Sequence, residues 1–516
     1  MLKDNAIWMG TGEKPVNLLL KQANRHGLIA GASGTGKTVT LKVLAEGFSK
    51  AGVPVFMADV KSDITGMCEP GKDSEDMQKR IEKFGIEGFT YEGCPMRLWD
   101  MTGGTGAPVR ITISDMGAPL LSRLLGLTDV QEGVLDIVFR IADDQKMLLI
   151  DMKDLRAMLT YVSEHNKEYE TTYGKVSSQS VGAILRALIP IEDQGGDIFF
   201  GEPALDLNDW FVCNDKGQGY INVLNAAKLI QTPQIYSMFL LWMLSELFDT
   251  LPEEGDLEKP KFVFFFDEAH LLFNDMPKEL LDKIIQVVKL IRSKGVGVYF
   301  ITQSPSDIPD EVLAKLSNRI QHGLRAYAPA EQKAVKAAAT SFRANPNFDS
   351  QEAILELGTG EALVSFLNED GQPEIVERAE ILPPQCLMAA ASDDAIKSVM
   401  DGQSDLMNKY GTAVDRESAF EIISGEAEKA DEEKAEAEAK AEEEKKAIEE
   451  AKEAEKAAEK AQKETEKAAE KAAKAQAKQQ DQMIKEVGKI ATSILGTIGR
   501  EAARQISRNI LGGRRR

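Results

Sequence analysis

The stretch Gly27-Leu28-Ile29-Ala30-Gly31-Ala32-Ser33-Gly34-Thr35-Gly36-Lys37-Thr38 decides the fold. Gly27–Ala30 is a short apolar run with the character of a buried strand. Thr38–Phe48 carries Leu41, Leu44 and Phe48 at helical spacing. Between them, Gly31–Thr38 satisfies the pattern G-x-x-x-x-G-K-[ST] at every fixed position. Each fixed residue has a physical task. Glycines let backbone N–H groups curl around phosphates without a Cβ in the way, Lys37 reaches the β- and γ-phosphates, and the Thr38 hydroxyl ligates Mg²⁺. The helix that follows turns its positive end toward the anion. A strand, this loop and a helix in that order predict a Mg-ATP site made of Gly31, Ala32, Ser33, Gly34, Thr35, Gly36, Lys37 and Thr38.

Outward from the loop, apolar runs recur at Val53–Ala58, Tyr220–Leu224, Phe262–Phe266 and Val298–Thr302. Runs with no polar alternation are what strands covered on both faces look like, so the expected class is α/β with a mostly parallel central sheet. Pro277–Lys294 reads as a helix with Leu280, Leu281, Ile284, Val287, Val288 and Ile291 on one face. Asp370-Gly371, between Glu361–Leu367 and Pro373–Ala379, signals a hairpin. The expected organisation is a first part of the core over 1–65 and a largely helical insertion over 66–215. The core resumes over 216–383, followed by a helical extension over 384–425. Within the insertion, Val109–Ile113 reads as a strand, and Leu120–Ile141 and Met147–Val162 as helices.

Phe262-Val263-Phe264-Phe265-Phe266-Asp267-Glu268 places two carboxylates at the end of a buried strand. Ligands of such sheets bind beyond the carboxyl ends of the strands. Asp267 is therefore the candidate to hold Mg²⁺, and Glu268 the candidate to polarise the attacking water. Gln303 ends the next strand and is the candidate to contact the γ-phosphate. Asp59, Lys61 and Asp63 follow the second strand, where contact with nucleotide-site water or the translocated substrate and a solvated turn are equally open. The four histidines show no metal-ligand spacing.

The chain has 516 residues and a net charge of −21. The charge is uneven: −21 over residues 1–425, −5 over 426–480 and +5 over 481–516. That excludes a globally basic nucleic-acid surface but not a locally basic groove. Cys68, Cys94, Cys213 and Cys386 form no CxxC pair, which speaks against a zinc site or a secreted disulfide scaffold. The N-terminus does not read as a signal peptide, and Met238–Phe248 is too short to span a bilayer. A soluble cytoplasmic protein is the expectation.

Residues 426–480 are Ala, Glu, Lys and Gln with favourable i,i+4 pairs such as Glu436→Lys440 and Glu459→Lys463. Ala447, Ala451, Ala454, Ala458, Ala461, Thr465, Ala468, Ala472 and Ala475 form a weak heptad seam. A solvated single helix or a coiled coil both fit. In 481–516, Ile484, Val487, Ile490, Ala491, Ile494, Leu495 and Ile498 make an apolar stripe beside Lys485, Lys489, Arg500, Arg504 and Arg508. This basic amphipathic tail is expected to pack on protein, either the core or other subunits, ahead of an anionic membrane face.

Several strings go beyond a bare phosphate loop. They are Asn24–Thr40, Val55-Phe-Met-Ala-Asp-Val-Lys61, Phe266-Asp-Glu-Ala-His270, Ile301-Thr-Gln-Ser-Pro305, Leu316–Arg325 and Asp415–Phe420. Together with the terminal Gly-Gly-Arg-Arg-Arg516 they closely resemble the bacterial HerA-like ATPases of the YjgR type. The resemblance implies a RecA-like core of the FtsK/HerA branch, ATP hydrolysis, a homo-oligomeric and typically hexameric ring, and double-stranded DNA as the translocated partner. It also implies an arginine finger from a neighbouring subunit. Arg319 best fits that position, with Arg325 in reserve. HerA proper carries an N-terminal β-barrel, for which the residues ahead of Gly31 leave no room. The Asp267-Glu268-Ala269-His270 string is not read as a DEAH-box helicase, because that class needs a second RecA-like domain after it. The leading expectation is a ring motor on DNA. Its alternatives are a motor of the same fold acting on protein and a non-motor NTPase switch.

Overall fold

The structure is a computed structural model, and it describes residues 2–227, 233–255, 257–273, 278–326 and 328–480. The strands are β1 (Leu2–Lys3), β2 (Ala6–Thr11), β3 (Pro15–Leu19), β4 (Gly27–Ala30), β5 (Val55–Asp59), β6 (Met96–Asp100) and β7 (Ala107–Pro108). They continue as β8 (Ile221–Asn225), β9 (Phe262–Phe266), β10 (Val296–Thr302), β11 (Asn318–His322), β12 (Glu361–Ser365) and β13 (Glu377–Ile381). All belong to one sheet in the order β1-β2-β13-β12-β11-β4-β10-β9-β5-β8-β6-β7, with β3 paired to β2. From β11 to β7 every neighbouring pair is parallel. From β11 through β12 to β1 the pairs are antiparallel.

Side chains alternate between the two faces of a strand, and here both faces are covered. In β9, Val263 and Phe265 point into one core with Leu41, Leu44 and Phe48 of the helix Lys37–Lys50. Phe262, Phe264 and Phe266 point into the other, with Trp210 and Phe239. Phe56 of β5 stacks on Trp210 at 4.6 Å between ring centroids. This double burial is why β9 is apolar at every position.

The structure redraws several boundaries expected from the sequence. Residues 96–100, expected within the helical insertion, form β6 and extend the central sheet beside β8. The strand expected over Val109–Ile113 is shorter and earlier, at Ala107–Pro108, because Ile113 starts a helix whose amino end is capped by Thr112. The longer helices after it are Ile113–Leu124, Asp129–Gln145, Met152–Glu164, Asn166–Tyr173 and Ser178–Asp193.

The segment after β13 is strapped across the helix Lys37–Lys50. The ammonium of Lys42, fully buried, donates to the carbonyls of Asp63 (2.7 Å), Leu387 (2.9 Å) and Met388 (3.0 Å). One turn on, the Glu46 carboxylate accepts from the N–H groups of Gln385 (3.1 Å) and Cys386 (2.7 Å). The molecule divides into two compact units at Glu426. The helix Ala419–Gln480 runs 62 residues, and its described side chains beyond 426 are exposed. The amphipathic tail expected over 481–516 lies outside the described residues. Among the described residues, no helix is long and apolar enough to cross a membrane.

Two buried histidines give the fold a pH dependence. His26 Nδ1 accepts from the Val298 N–H (3.1 Å), so Nε2 carries the proton that reaches Val288 O (2.8 Å). Burial lowers the pKa of His26 and of His322 from 6.5 to about 4. Between these values the unfolded chain binds protons that the folded chain does not. The neutral rings therefore contribute fully above about pH 6.5, and that contribution, up to roughly 3 kcal/mol each, is lost as the pH falls toward 4. His26→Gln is expected to flatten the slope of unfolding free energy against pH in that window by up to about 1.4 kcal/mol per pH unit. Urea unfolding at a series of pH values measures it, and an unchanged slope would contradict the assignment.

Candidate nucleotide-binding and hydrolysis site

The loop Gly31–Gly36 leaves the carboxyl end of β4, and the helix Lys37–Lys50 begins immediately behind it. Gly34 (φ +77°) and Gly36 (φ +113°) adopt left-handed conformations that a side chain would oppose. Neighbouring strands hold the loop in shape. The Gly31 N–H donates to Thr302 O (3.2 Å), the Ala32 N–H to Gly323 O (2.9 Å), and the Gly360 N–H to Thr35 O (3.0 Å). Beneath it, buried His322 contacts Thr40 Oγ1 through Nε2 (2.8 Å) and Glu361 O through Nδ1 (2.9 Å). Its Cβ lies 2.5 Å from where a Cβ on Gly31 would fall, so Gly31 admits no larger residue without displacement. Ser33 and Gly34 are exposed at the tip, and Thr38 is half-buried in the first turn of the helix.

Because β4, β10, β9 and β5 are parallel neighbours, the residues that follow them share one edge of the sheet. Asp267 and Glu268 follow β9, Gln303 follows β10, and Lys61 lies just beyond β5. The Lys37 ammonium folds back onto Gly31 O (2.7 Å) and Ala32 O (3.1 Å). Burial lowers its pKa, against the opposing fields of Glu268 and Asp267. Burial likewise raises Asp267 to about 6, although Lys61 pulls it down. The Glu268 N–H donates to Asp267 Oδ1 (2.9 Å).

Glu268 has φ +47°, an uncommon conformation for a residue with a side chain. The turn around it fixes it there: the Ala269 N–H donates to Ile301 O (2.9 Å), and the Leu271 N–H to Glu268 O (2.8 Å). Such strained residues concentrate at functional sites. Glu268 Oε1 forms an ion pair with Lys61, and Oε2 lies 3.2 Å from His270 Nδ1. Burial opposes the charge of Glu268, but Lys61, His270 and the adjacent Gln303 outweigh it and hold the carboxyl below its ordinary range. For Lys61 the sequence leaves a solvated turn and the site equally open. The structure puts it in the site, because β5 and β9 are adjacent.

Arg319 does not join this group. It lies toward the amino end of β11, paired with Leu28, and its guanidinium donates to the carbonyls of Leu316 (2.8 Å), Ser341 (2.9 Å) and Leu313 (3.0 Å) of its own chain. These three bonds make Arg319 an internal tie within its own chain, and a finger reaching into a neighbour would have to exchange them. Arg325, beyond the carboxyl end of β11, is exposed. Arg319→Ala is expected to destabilise the fold by about 1–3 kcal/mol, because it strips three half-buried carbonyls of their donor. A shift in urea midpoint reads this, and a variant as stable as wild type would remove the tie assignment.

The family model described as "Helicase HerA-like C-terminal" matches residues 4–516. The chain belongs to this HerA-like family. No curated protein matches it. Among solved structures, the HerA-like chain is similar to the bacterial conjugative coupling protein TrwB in an unbound form, at 15% identity and a TM-score of 0.51, over 77% of this chain and 92% of that one. TrwB in complex with ADP and Mg²⁺ aligns at 14% identity with the same TM-score of 0.51, over 77% of this chain and 92% of that one. At that identity the likeness establishes the RecA-like fold. The HerA-like core is thus a P-loop ATPase architecture, with a mostly parallel sheet and a long C-terminal helix.

Proposed function

We propose that this HerA-like chain is a Mg-ATP-hydrolysing motor that works as a homo-oligomeric, typically hexameric, ring on double-stranded DNA. The observation that carries the reading is the common edge on which a glycine-rich loop, Lys37, the pair Asp267/Glu268 and Gln303 converge. TrwB, of the same fold, has been captured with ADP and Mg²⁺. The residues here fit those groups: the loop supplies N–H donors at a helix amino end, and Asp267 is a buried carboxylate beside it. Thr38 and Asp267 would hold Mg²⁺, which when bound neutralises charge on the β- and γ-phosphates.

In this reading Lys37 exchanges its two carbonyl partners for the phosphates. Glu268, kept ionised by Lys61, accepts a proton from the water it orients. Gln303, beside Glu268, links the state of the γ-phosphate to the strand it terminates. Arg325 of an adjacent subunit completes the site. A displacement assay tests the motor: with ATP, the chain should strip a triplex-forming third strand from a duplex, and Lys37→Ala should not. One observation favours a second reading, a motor of the same fold acting on protein: residues 1–425 carry a net charge of −21, whereas DNA binding favours basic surfaces. An active ATPase that displaces no third strand would select that reading.

A further inference from the structure

The exit of β11 touches the phosphate loop at two successive residues and then reaches Arg325. His322 is the last residue of β11, and its buried side chain lies under both ends of the loop. A Cβ on Gly31 would fall 2.5 Å from His322 Cβ, and one on Gly36 would fall 3.6 Å from His322 Cε1. The Glu361 carbonyl can only accept, so in the neutral ring Nδ1 carries the proton and Nε2 accepts from the Thr40 hydroxyl at 2.8 Å. Thr40 belongs to the helix that begins behind the loop, two residues beyond Thr38. The next residue of the exit, Gly323, accepts the Ala32 N–H at 2.9 Å. Leu324 follows, buried with Val335, Ile354 and Leu363, and its N–H donates to Ile354 O at 3.3 Å. Arg325 comes next and is exposed.

Nucleotide changes the partners of the peptide groups that this exit holds. The carbonyls of Gly31 and Ala32 accept from the Lys37 ammonium at 2.7 and 3.1 Å, bonds that Lys37 exchanges for phosphates in the reading above. Ala32 is thereby bonded through its carbonyl to the group that meets phosphate, and through its N–H to the exit of β11. From His322 to Arg325 the chain spans at most about 10 Å. Energetic coupling is carried by contiguous packed and hydrogen-bonded groups of this kind. A close-packed interior transmits a displacement of the loop instead of absorbing it.

We propose that Thr40, His322 and Gly323 form a relay that couples the nucleotide held by one subunit to the placement of that subunit's Arg325 in the neighbouring site. The proposal rests on the reading of Arg325 as a group supplied to an adjacent subunit. Thr40 and His322 are positioning residues in it, because they act through Arg325 and not on the reacting atoms.

The test mixes two full-length variants, each expected to be inactive alone. The acceptor, Arg325→Ala, keeps Glu268. The donor, Glu268→Gln, keeps Arg325 and hydrolyses nothing itself. Phosphate release then reports only those interfaces where a donor's Arg325 faces an acceptor's Glu268. Thr40→Val removes the hydroxyl that His322 uses and keeps the shape of the side chain. Added to the donor, it should lower the recovered turnover by ~3–10-fold, the scale of one lost hydrogen bond, while the donor still binds a fluorescent ATP analogue as before. Thr40→Ser on the donor, which keeps the hydroxyl, should leave the recovered turnover intact. Mass photometry checks that both subunits enter the assembly. If the Thr40→Val donor does not fold or assemble, His322→Asn replaces it, since its amide can donate to Glu361 O but is too short to reach Thr40. Undiminished turnover with the altered donor would overturn the relay. So would a loss seen only when Thr40→Val sits on the acceptor, which would reduce the contact to local support of the loop. No turnover from the unmodified mixture is a separate failure: it removes Arg325 from the neighbouring site, and the relay falls with the reading beneath it.

Discussion

Glu268→Gln is expected to bind ATP and fail to turn it over, with kcat reduced by ~10²–10⁴-fold. The substitution preserves the shape of the side chain at a strained position, φ +47°, that the surrounding turn enforces. What it removes is the negative charge that pairs with Lys61 and that would take up the proton of the attacking water. Lys37→Ala is expected to fail earlier, at binding or at hydrolysis, because it deletes the ammonium that now rests on Gly31 O and Ala32 O. Nucleotide binding by a fluorescent ATP analogue, set beside steady-state phosphate release, separates the two variants. Equal turnover by wild type and Glu268→Gln would sink the assignment of Glu268.

Arg325→Ala should leave ATP affinity near wild type and lower kcat by ~10³-fold or more, the scale of arginine fingers supplied in trans. Arg325 is exposed beyond the carboxyl end of β11, whereas Arg319 is tied into its own chain. Mixing Arg325→Ala with Glu268→Gln subunits should restore part of the activity, since some interfaces then pair an intact Arg325 with an intact Glu268. Each variant alone stays inactive. No recovery on mixing, in an assembly shown by mass photometry to contain both subunits, would place Arg325 outside the neighbour's site.

The buried half of the fold is readable in the sequence, and the rest is hidden for physical reasons. Phe262–Phe266 and Val55–Asp59 are buried at every position, so each run announces a strand without help from its neighbours. β6 does not, because Met96–Asp100 carries Arg97 and Asp100 inside a fully buried strand. The charge of Arg97 is met by Asp405 (3.0 Å) and the carbonyl of Asp209 (3.2 Å), partners far along the chain. β1 is two residues long and exposed, and β3 alternates exposed with buried positions, so no long apolar run marks either.

The candidate site divides in the same way. Gly31–Thr38 is a local motif, and its chemistry follows from spacing alone. The pairing of Lys61 with Glu268 depends on which strands lie side by side, and no local signal records that β5 is next to β9. Arg319 illustrates the converse. The family resemblance places a finger at Arg319, and nothing in the local sequence shows that the carbonyls holding its guanidinium belong to Leu313, Leu316 and Ser341, brought together only by the folded chain.

ATP turnover measured with and without double-stranded DNA tests the motor reading most directly. Wild-type chain should release phosphate faster when duplex is present, the stimulation should fade steeply as salt rises, and Glu268→Gln should show no turnover in either condition. A rate indifferent to duplex at every salt concentration, from a chain that hydrolyses ATP through Glu268, would contradict a DNA motor.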